Sequence, residues 1–155
     1  MVNSPRAIEG SMAIEGSIMK KVIISVLGPD KPGILAAVSN ALFEQNCNIE
    51  NVSQTILQSE FAGIFVASIP DKLSAEVLNE YLNQTVSDFL LQVRTKYLDK
   101  QQSDFIDSEP FIISIFGPDR KGLVAAITSI IARHGVNITN MQAIFKGCTN
   151  PDDNV

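Results

Sequence analysis

Two short corners carry the groups best placed for chemistry: GPDKPG at residues 28–33 and GPDRKG at residues 117–122. Each follows an apolar run, VIISVL or FIISIF, and each opens a segment with apolar residues at helical spacing. An acid between two glycines at the start of a helix can meet two kinds of ligand group. The N–H groups of a helix N-terminus suit a carboxylate. Asp30 and Asp119 offer acceptors to an ammonium. Gly28, Gly33, Gly117 and Gly122 allow a ligand close to the backbone. Asn48 and Asn137 open the run after each helix and add an amide that both donates and accepts. Together these groups describe a site for a small zwitterion. Plainer roles stay open: the aspartates as helix caps, Gly33 and Gly122 as packing residues, the asparagines bonding turn backbone, and Lys31 and Arg120 as solvated first-turn charges.

Other chemistries fit poorly. The one histidine, His134, falls in the last turn of the second predicted helix, where its repeat equivalent is Gln45, so a solvated side chain favoured by the helix C-terminus accounts for it. No His, Cys, Asp or Glu spacing suits a metal, and the acids at 152–153 are isolated, so no cofactor is expected. The corners lack the glycine spacing of a phosphate loop, and their aspartates would repel a phosphate. Ile24 and Val66 stand where a base-stacking sheet would place aromatics, with only Phe65 nearby and no basic stripe. The first loop has no C-x-x-C for copper. An enzyme of acyl or phosphoryl transfer would want an arginine in the first loop, which carries Lys31; an enzyme is therefore not expected.

Composition bounds the partners. The 155 residues hold one medium domain or two small ones, are 45% hydrophobic, and carry a net charge of −5, which argues against direct nucleic-acid binding. No apolar run approaches the roughly 20 residues that span a bilayer. Cys47 and Cys148 are far apart and read as buried thiols of a cytoplasmic protein. The doubled AIEGS at 7–11 and 13–17 marks residues 1–18 as an expression-tag remnant, with a native start at Met19.

The elements that must position the corners follow from periodicity. Val22–Leu27 reads as a buried strand. Ile34, Leu35, Val38 and Leu42 form a helical stripe, with Asp30 as N-cap, Pro32 in the first turn and Asn46 as the stop. Residues 48–58 read as a half-exposed strand and 61–70 as an apolar strand, joined as a hairpin. A second helix runs from Ser74, and 89–98 alternates as a strand with one wet face. The order is β-α-β-β-α-β, an α+β, ferredoxin-like pattern over residues 19–99. Residues 100–110 are polar and read as a linker. The pattern then restarts: at an offset of 89, Ile23, Ile24, Ser25, Gly28, Pro29, Asp30, Gly33, Ala36, Ala37, Asn48, Ile49 and Asn51 meet identical residues. This second copy, 111–155, carries only strand, helix and strand, so three readings stay open: a longer protein, a second subunit that supplies the missing strands, or a half unit packed on the first domain.

The run VIISVLGPDKPGILAAVSNALFEQNCNIENVSQT resembles the opening of an ACT domain: apolar strand, D-x-P-G-hydrophobic loop, helix, then N-I and a threonine-bearing strand. The resemblance covers 21–99 in full and 111–147 in part, with Lys121 in place of Pro32's equivalent; tandem copies with G-P-D loops are similar to the glycine cleavage system repressor group. The resemblance implies a regulatory module that binds an amino acid between paired domains, through the first loop and the start of the second strand. It nominates Gly28, Asp30, Gly33 and Asn48, then Gly117, Asp119, Gly122 and Asn137. An acid at position 30 favours the ligand's ammonium group. The implied partners are an amino acid effector, a second copy in a homodimer, and a regulatory protein or enzyme that receives the signal. Some ACT domains bind no ligand and only mediate assembly, which is the alternative reading.

Overall fold

The computed structural model describes residues 19–99, 109–118 and 120–144, and the chain divides into two units, Met1–Asp104 and Phe105–Val155. The first unit contains β1 (Lys20–Pro29), α1 (Ile34–Glu44), β2 (Asn48–Leu57), β3 (Glu60–Ile69), α2 (Ala75–Thr85), a 3-10 turn (Ser87–Phe89) and β4 (Gln92–Tyr97). The strands form one antiparallel sheet in the order β2-β3-β1-β4. This is the βαββαβ ferredoxin-like arrangement that the periodicity predicts.

Alternation builds the core. Val22, Ile24 and Val26 of β1 are buried, and so are Phe61, Phe65, Ala67 and Ile69 of β3. They meet Ile34, Val38, Ala41 and Leu42 of α1 and Ala75, Leu78 and Leu82 of α2 in one cluster. Burying an aliphatic side chain of this size contributes about 1.5–3 kcal/mol, so this layer dominates the unit's stability. α2 starts at Ser74, whose Oγ accepts from the Val77 N–H at 3.2 Å. α1 stops as predicted: Asn46 takes φ 54°, and the Cys47 N–H returns to the Leu42 carbonyl at 2.9 Å.

Three local expectations differ. Asp30 does not cap α1: the N-cap is Gly33, with φ 93° and no side-chain bond. Pro32 and Gly33 turn the chain before the helix begins, which leaves Asp30 too far upstream to cap it. β2 is exposed at every position but the half-buried Ile49, unlike β4, the sheet's other outer strand, where Val93 is buried. β4 begins at Gln92 rather than 89, since Leu90 takes φ 60° and ends the 3-10 turn that holds Phe89.

The two edges of the sheet are finished differently. At β4 the Asn83 side chain accepts from the Val93 N–H at 3.2 Å and donates to its carbonyl at 3.0 Å. Asn79 accepts from the Thr95 N–H at 2.9 Å. These two residues, one turn apart on α2, occupy the outer backbone groups of β4. β2 has no such cover among the described residues.

In the second unit α3 (Leu123–Arg133) forms, with Gly122 at φ 82° as its N-cap and Gly135 at φ 67° after it. The flanking runs 111–116 and 136–144, predicted as strands, enter no ladder among the described residues. The first unit shows why. β1 and β2 are never neighbours there, because β3 lies between them and pairs with both. A strand–helix–strand half thus contains no pair of adjacent strands. Its helix stripe suffers too: Leu123, Ile127 and Ile131 are only half-buried, while their equivalents Ile34, Val38 and Leu42 are at most 2% exposed.

Candidate functional site

The β1–α1 corner opens onto a shallow groove of about 340 Å³, lined by Asp30, Lys31, Gly33–Ala36, Gln54 and Phe61. The backbone of the corner is pinned by the Asp30 N–H, which donates to the Ser59 carbonyl at 2.8 Å and ties the loop to the β2–β3 hairpin. The first intrahelical bond of α1 runs from the Ala37 N–H to Gly33 at 2.9 Å. The N–H groups of Ile34, Leu35 and Ala36 precede that bond. No side chain caps them, and no acid sits in the first turn. They therefore present the positive end of the helix to the groove. The Asp30 carboxylate is exposed at the same place and makes no hydrogen bond among the described residues.

Gln54 is the site residue that motif reading missed. Its register partner is Gly63, so it lies on the same sheet face as Phe61 and Phe65, whose rings fill the space over the glycine. The signal was available: Gln54 stands between Val52 and Ile56 at the two-residue period, a polar amide on a face otherwise apolar.

The other nominated residues sort differently. Gly33 lines the groove, and its φ of 93° is one that L side chains rarely adopt. Gly28 is buried away from it: a Cβ there would lie 2.9 Å from the Leu90 carbonyl oxygen and 3.2 Å from Leu91 Cα. That close approach lets β1 pass beneath the turn before β4. Asn48 sits at the opposite end of β2, where the Ser68 Oγ donates to its carbonyl at 3.5 Å. Ser68 and Ser59 are nine residues apart along the hairpin, so Asn48 is about 30 Å from the loop of its own domain.

In the second unit Gly117 and Gly122 have open space where a Cβ would stand. Asp119 lies outside the described residues. Asn137 is found past the C-terminus of α3, in a recess of about 430 Å³ with Thr128, Ser129, Ala132, Val136 and Ile138. The eleven-residue helix keeps it about 16 Å from Gly122. The second set is not gathered into one site.

Residual chemistry is sparse. Among the described residues no three His, Cys, Asp or Glu side chains stand close enough to hold a metal, and no helix is long and apolar enough to cross a membrane. Cys47 is a buried free thiol whose pKa burial pushes up from 9.0 to about 11, so it stays protonated and unreactive near neutrality. Cys148 lies outside the described residues. His134 forms the C-cap of α3 and is exposed, as a solvated histidine would be.

The groove thus pairs the positive end of a helix with a free carboxylate a few residues away, complementary to a molecule carrying both charges. Known proteins agree on the scaffold. An ACT domain model matches residues 20–96, and a second ACT domain model matches residues 111–144. A UPF0237 protein of Methanopyrus kandleri is 33% identical over 82 residues, covering 52% of this chain and 91% of that one. One from Methanocaldococcus jannaschii is 35% identical over the same coverage. Two solved structures extend over both copies. An unknown protein from Galdieria sulphuraria has 24% identity and a TM-score of 0.61, covering 83% of this chain and 75% of that one. A putative glycine cleavage system transcriptional repressor has 18% identity and a TM-score of 0.57, covering 82% and 73%. At such identities the structural likeness concerns fold alone, but sequence and fold together are decisive: the chain belongs to the ACT domain family.

Proposed function

We propose that this chain is a regulatory protein that senses a free amino acid through the β1–α1 corner and acts by pairing ACT domains. The observation that carries the reading is the uncapped N-terminus of α1 facing the same groove as the free Asp30 carboxylate. The amino acid's carboxylate bonds the N–H groups of Leu35 and Ala36. Its ammonium group meets Asp30, and Gln54 reads the side chain or either charged group.

The groove is shallow, and a second domain closes it. β2 is the uncovered edge, ten residues long, with Glu50 its one charge and Val52, Ile56 and Leu57 exposed. Such an edge is a template for pairing with another strand. An antiparallel β2–β2 contact between two ACT domains sets the start of one strand beside the end of the other. It brings Asn48 of one domain next to the loop of its partner, which gives the distant asparagine a place in a shared site. A ligand bound between two domains favours the paired arrangement, and a partner regulatory protein or enzyme reads that state. Control of amino acid metabolism or transcription is the proposed setting, with cytoplasmic location and no direct contact to nucleic acid.

A ligand-free pairing module is the second reading, favoured by the same apolar, nearly uncharged β2 edge. A thermal-shift screen of the common amino acids at millimolar concentration separates the two. The sensor reading expects one or a few to raise the melting temperature, with the effect lost in Asp30→Ala. If no amino acid shifts the transition, the assembly reading stands in its place.

A further inference from the structure

The two helices of the first unit cover one face of its sheet. Val22, Ile24 and Val26 of β1 join Phe61, Phe65 and Ala67 of β3 in the core beneath them. The alternate residues Ile23, Ser25 and Leu27, with Ala62, Ile64 and Val66, therefore form the centre of the other face. A sheet face turned to water is usually polar. Here five of these six central residues are apolar, and Leu27 and Ile64 are 50% and 49% exposed.

Size and charge are laid out on this face in a regular way. The register sets Ser25 beside Ile64 and Leu27 beside Ala62, small next to large. Arg94 and Lys96 of β4 flank Ser25 and Ile23 and are exposed at one margin. At the other margin Glu50 of β2 reaches across β3 to Lys21 Nζ at 2.7 Å, which places its carboxylate on this face. We infer that this face packs against the same face of a second copy of the chain, about a two-fold axis parallel to β1 and β3. That rotation exchanges the lanes of β1 and β3, and those of β2 and β4. Ile64 comes over the partner's Ser25 and Leu27 over the partner's Ala62, large against small, as the inner faces of packed sheets interdigitate. Lys96, level with Ile23, Val66 and Asn51, comes over the partner's Asn51 and its neighbour Glu50. An axis across the strands at Ile64 would keep each lane over itself. Ile64 would meet Ile64, Leu27 would meet Ile23, and the β4 cations would crowd together at a cost. Shape and charge thus select the same axis.

The area sets the strength. The sheet's lanes lie about 4.8 Å apart, and about eight residues at about 3.4 Å each give a face of roughly 500 Å². Two such faces bury on the order of 1,000 Å², the lower end for a specific interface, so the contact forms and dissolves with concentration. Edge pairing through β2, proposed above, uses backbone groups in the plane of the sheet and leaves this face free. The two contacts are independent.

Methyl NMR of the 155-residue chain, run from micromolar to hundreds of micromolar beside sedimentation velocity, tests it. The expected result is that the Ile23 and Ile64 methyls shift in step with the dimer fraction, and that both are open to a soluble spin probe in the monomer. Ile64→Lys abolishes the Ile23 response. Because Ile64 is half exposed, the amides of β1 and β3 keep their slow exchange in that variant, showing that the unit is intact. Lys96→Glu weakens the association on the order of tenfold, through two symmetry-related charge pairs. Four results overturn the inference: both methyls unchanged at hundreds of micromolar, both hidden from the probe in the monomer, an Ile23 response that survives Ile64→Lys, or Lys96→Glu associating as tightly as the parent. None of these touches the amino-acid-sensing reading, which is measured by ligand-induced stabilisation, so the two fail separately.

Discussion

Replacing Asp30 by alanine separates a ligand group from a helix cap. An N-cap lost to alanine costs about 1 kcal/mol, and in an 81-residue unit such as 19–99 that lowers the melting temperature by about 4–8 °C. The structure supplies an internal standard. Ser74 is a true side-chain cap, its Oγ accepting from the Val77 N–H at 3.2 Å, so Ser74→Ala is expected to lose the full amount. Asp30 makes no such bond, and α1 is capped by the backbone of Gly33. What remains is attraction between an exposed carboxylate and the helix end, about 0.3 kcal/mol at the low end of such effects, or no more than about 3 °C. The two contributions also differ in salt dependence. Near 1 M salt the screening length falls to about 3 Å, so the Asp30 effect vanishes while the Ser74 effect persists. Differential scanning calorimetry of both variants, at low and high salt, reads this directly. In the presence of the amino acid the order reverses. Ser74→Ala leaves affinity unchanged, and Asp30→Ala loses about 10-fold or more, the equivalent of a hydrogen bond to a charged group at about 1.5–3 kcal/mol. A salt-independent fall in Asp30→Ala as large as that in Ser74→Ala would refute the reasoning, because the carboxylate would then be capping α1.

Three further outcomes are expected. Gly28→Ala destabilises by about 1–3 kcal/mol, because the new Cβ lies 2.9 Å from the Leu90 carbonyl oxygen and backbone must move; chemical denaturation reads the loss, and an unchanged midpoint would show that the turn yields freely. Asn83→Ala costs about 1–3 kcal/mol by leaving the Val93 N–H and carbonyl without their partner, and amide exchange of Val93 accelerates while that of β1 does not. Cys47 resists iodoacetamide at neutral pH in the folded protein; it also makes folding less favourable as pH rises from 9.0 toward about 11, since the unfolded thiol ionises first while the buried one keeps its proton. Cys47→Ala removes that part of the alkaline loss, and identical pH profiles for the two proteins would contradict it.

The periodicities in the chain were enough to place the first unit's strands, helices and hairpin and to expose the repeat. The hydrophobic period reports which face of an element is buried: Ile34, Val38 and Leu42 of α1 are buried as their spacing predicts, while Leu35 of the same stripe and Leu27 of β1 are exposed. What period does not report is lane order. β2 follows α1 in sequence but lies outside β3, so Asn48 was expected beside the loop and stands at the far end of the sheet. Asp30 misled because Asp is a common cap; the Pro32–Gly33 turn decides otherwise through a positive φ at Gly33. The edge cover by Asn79 and Asn83 depends on α2 lying over β4, a tertiary fact with only a four-residue spacing as its trace in sequence.

The central claim is that the corner before α1 holds a free amino acid. A ¹⁵N-resolved NMR titration with the amino acid that most raises the melting temperature tests it most directly. Saturable shifts are expected at the amides of Asp30–Ala36 and the side-chain amide of Gln54 alone, with Asn48 joining them only when domains pair, and the response is lost in Asp30→Ala. Saturable shifts elsewhere, with residues 30–36 and Gln54 silent, or no shifts with any of the common amino acids, would contradict it.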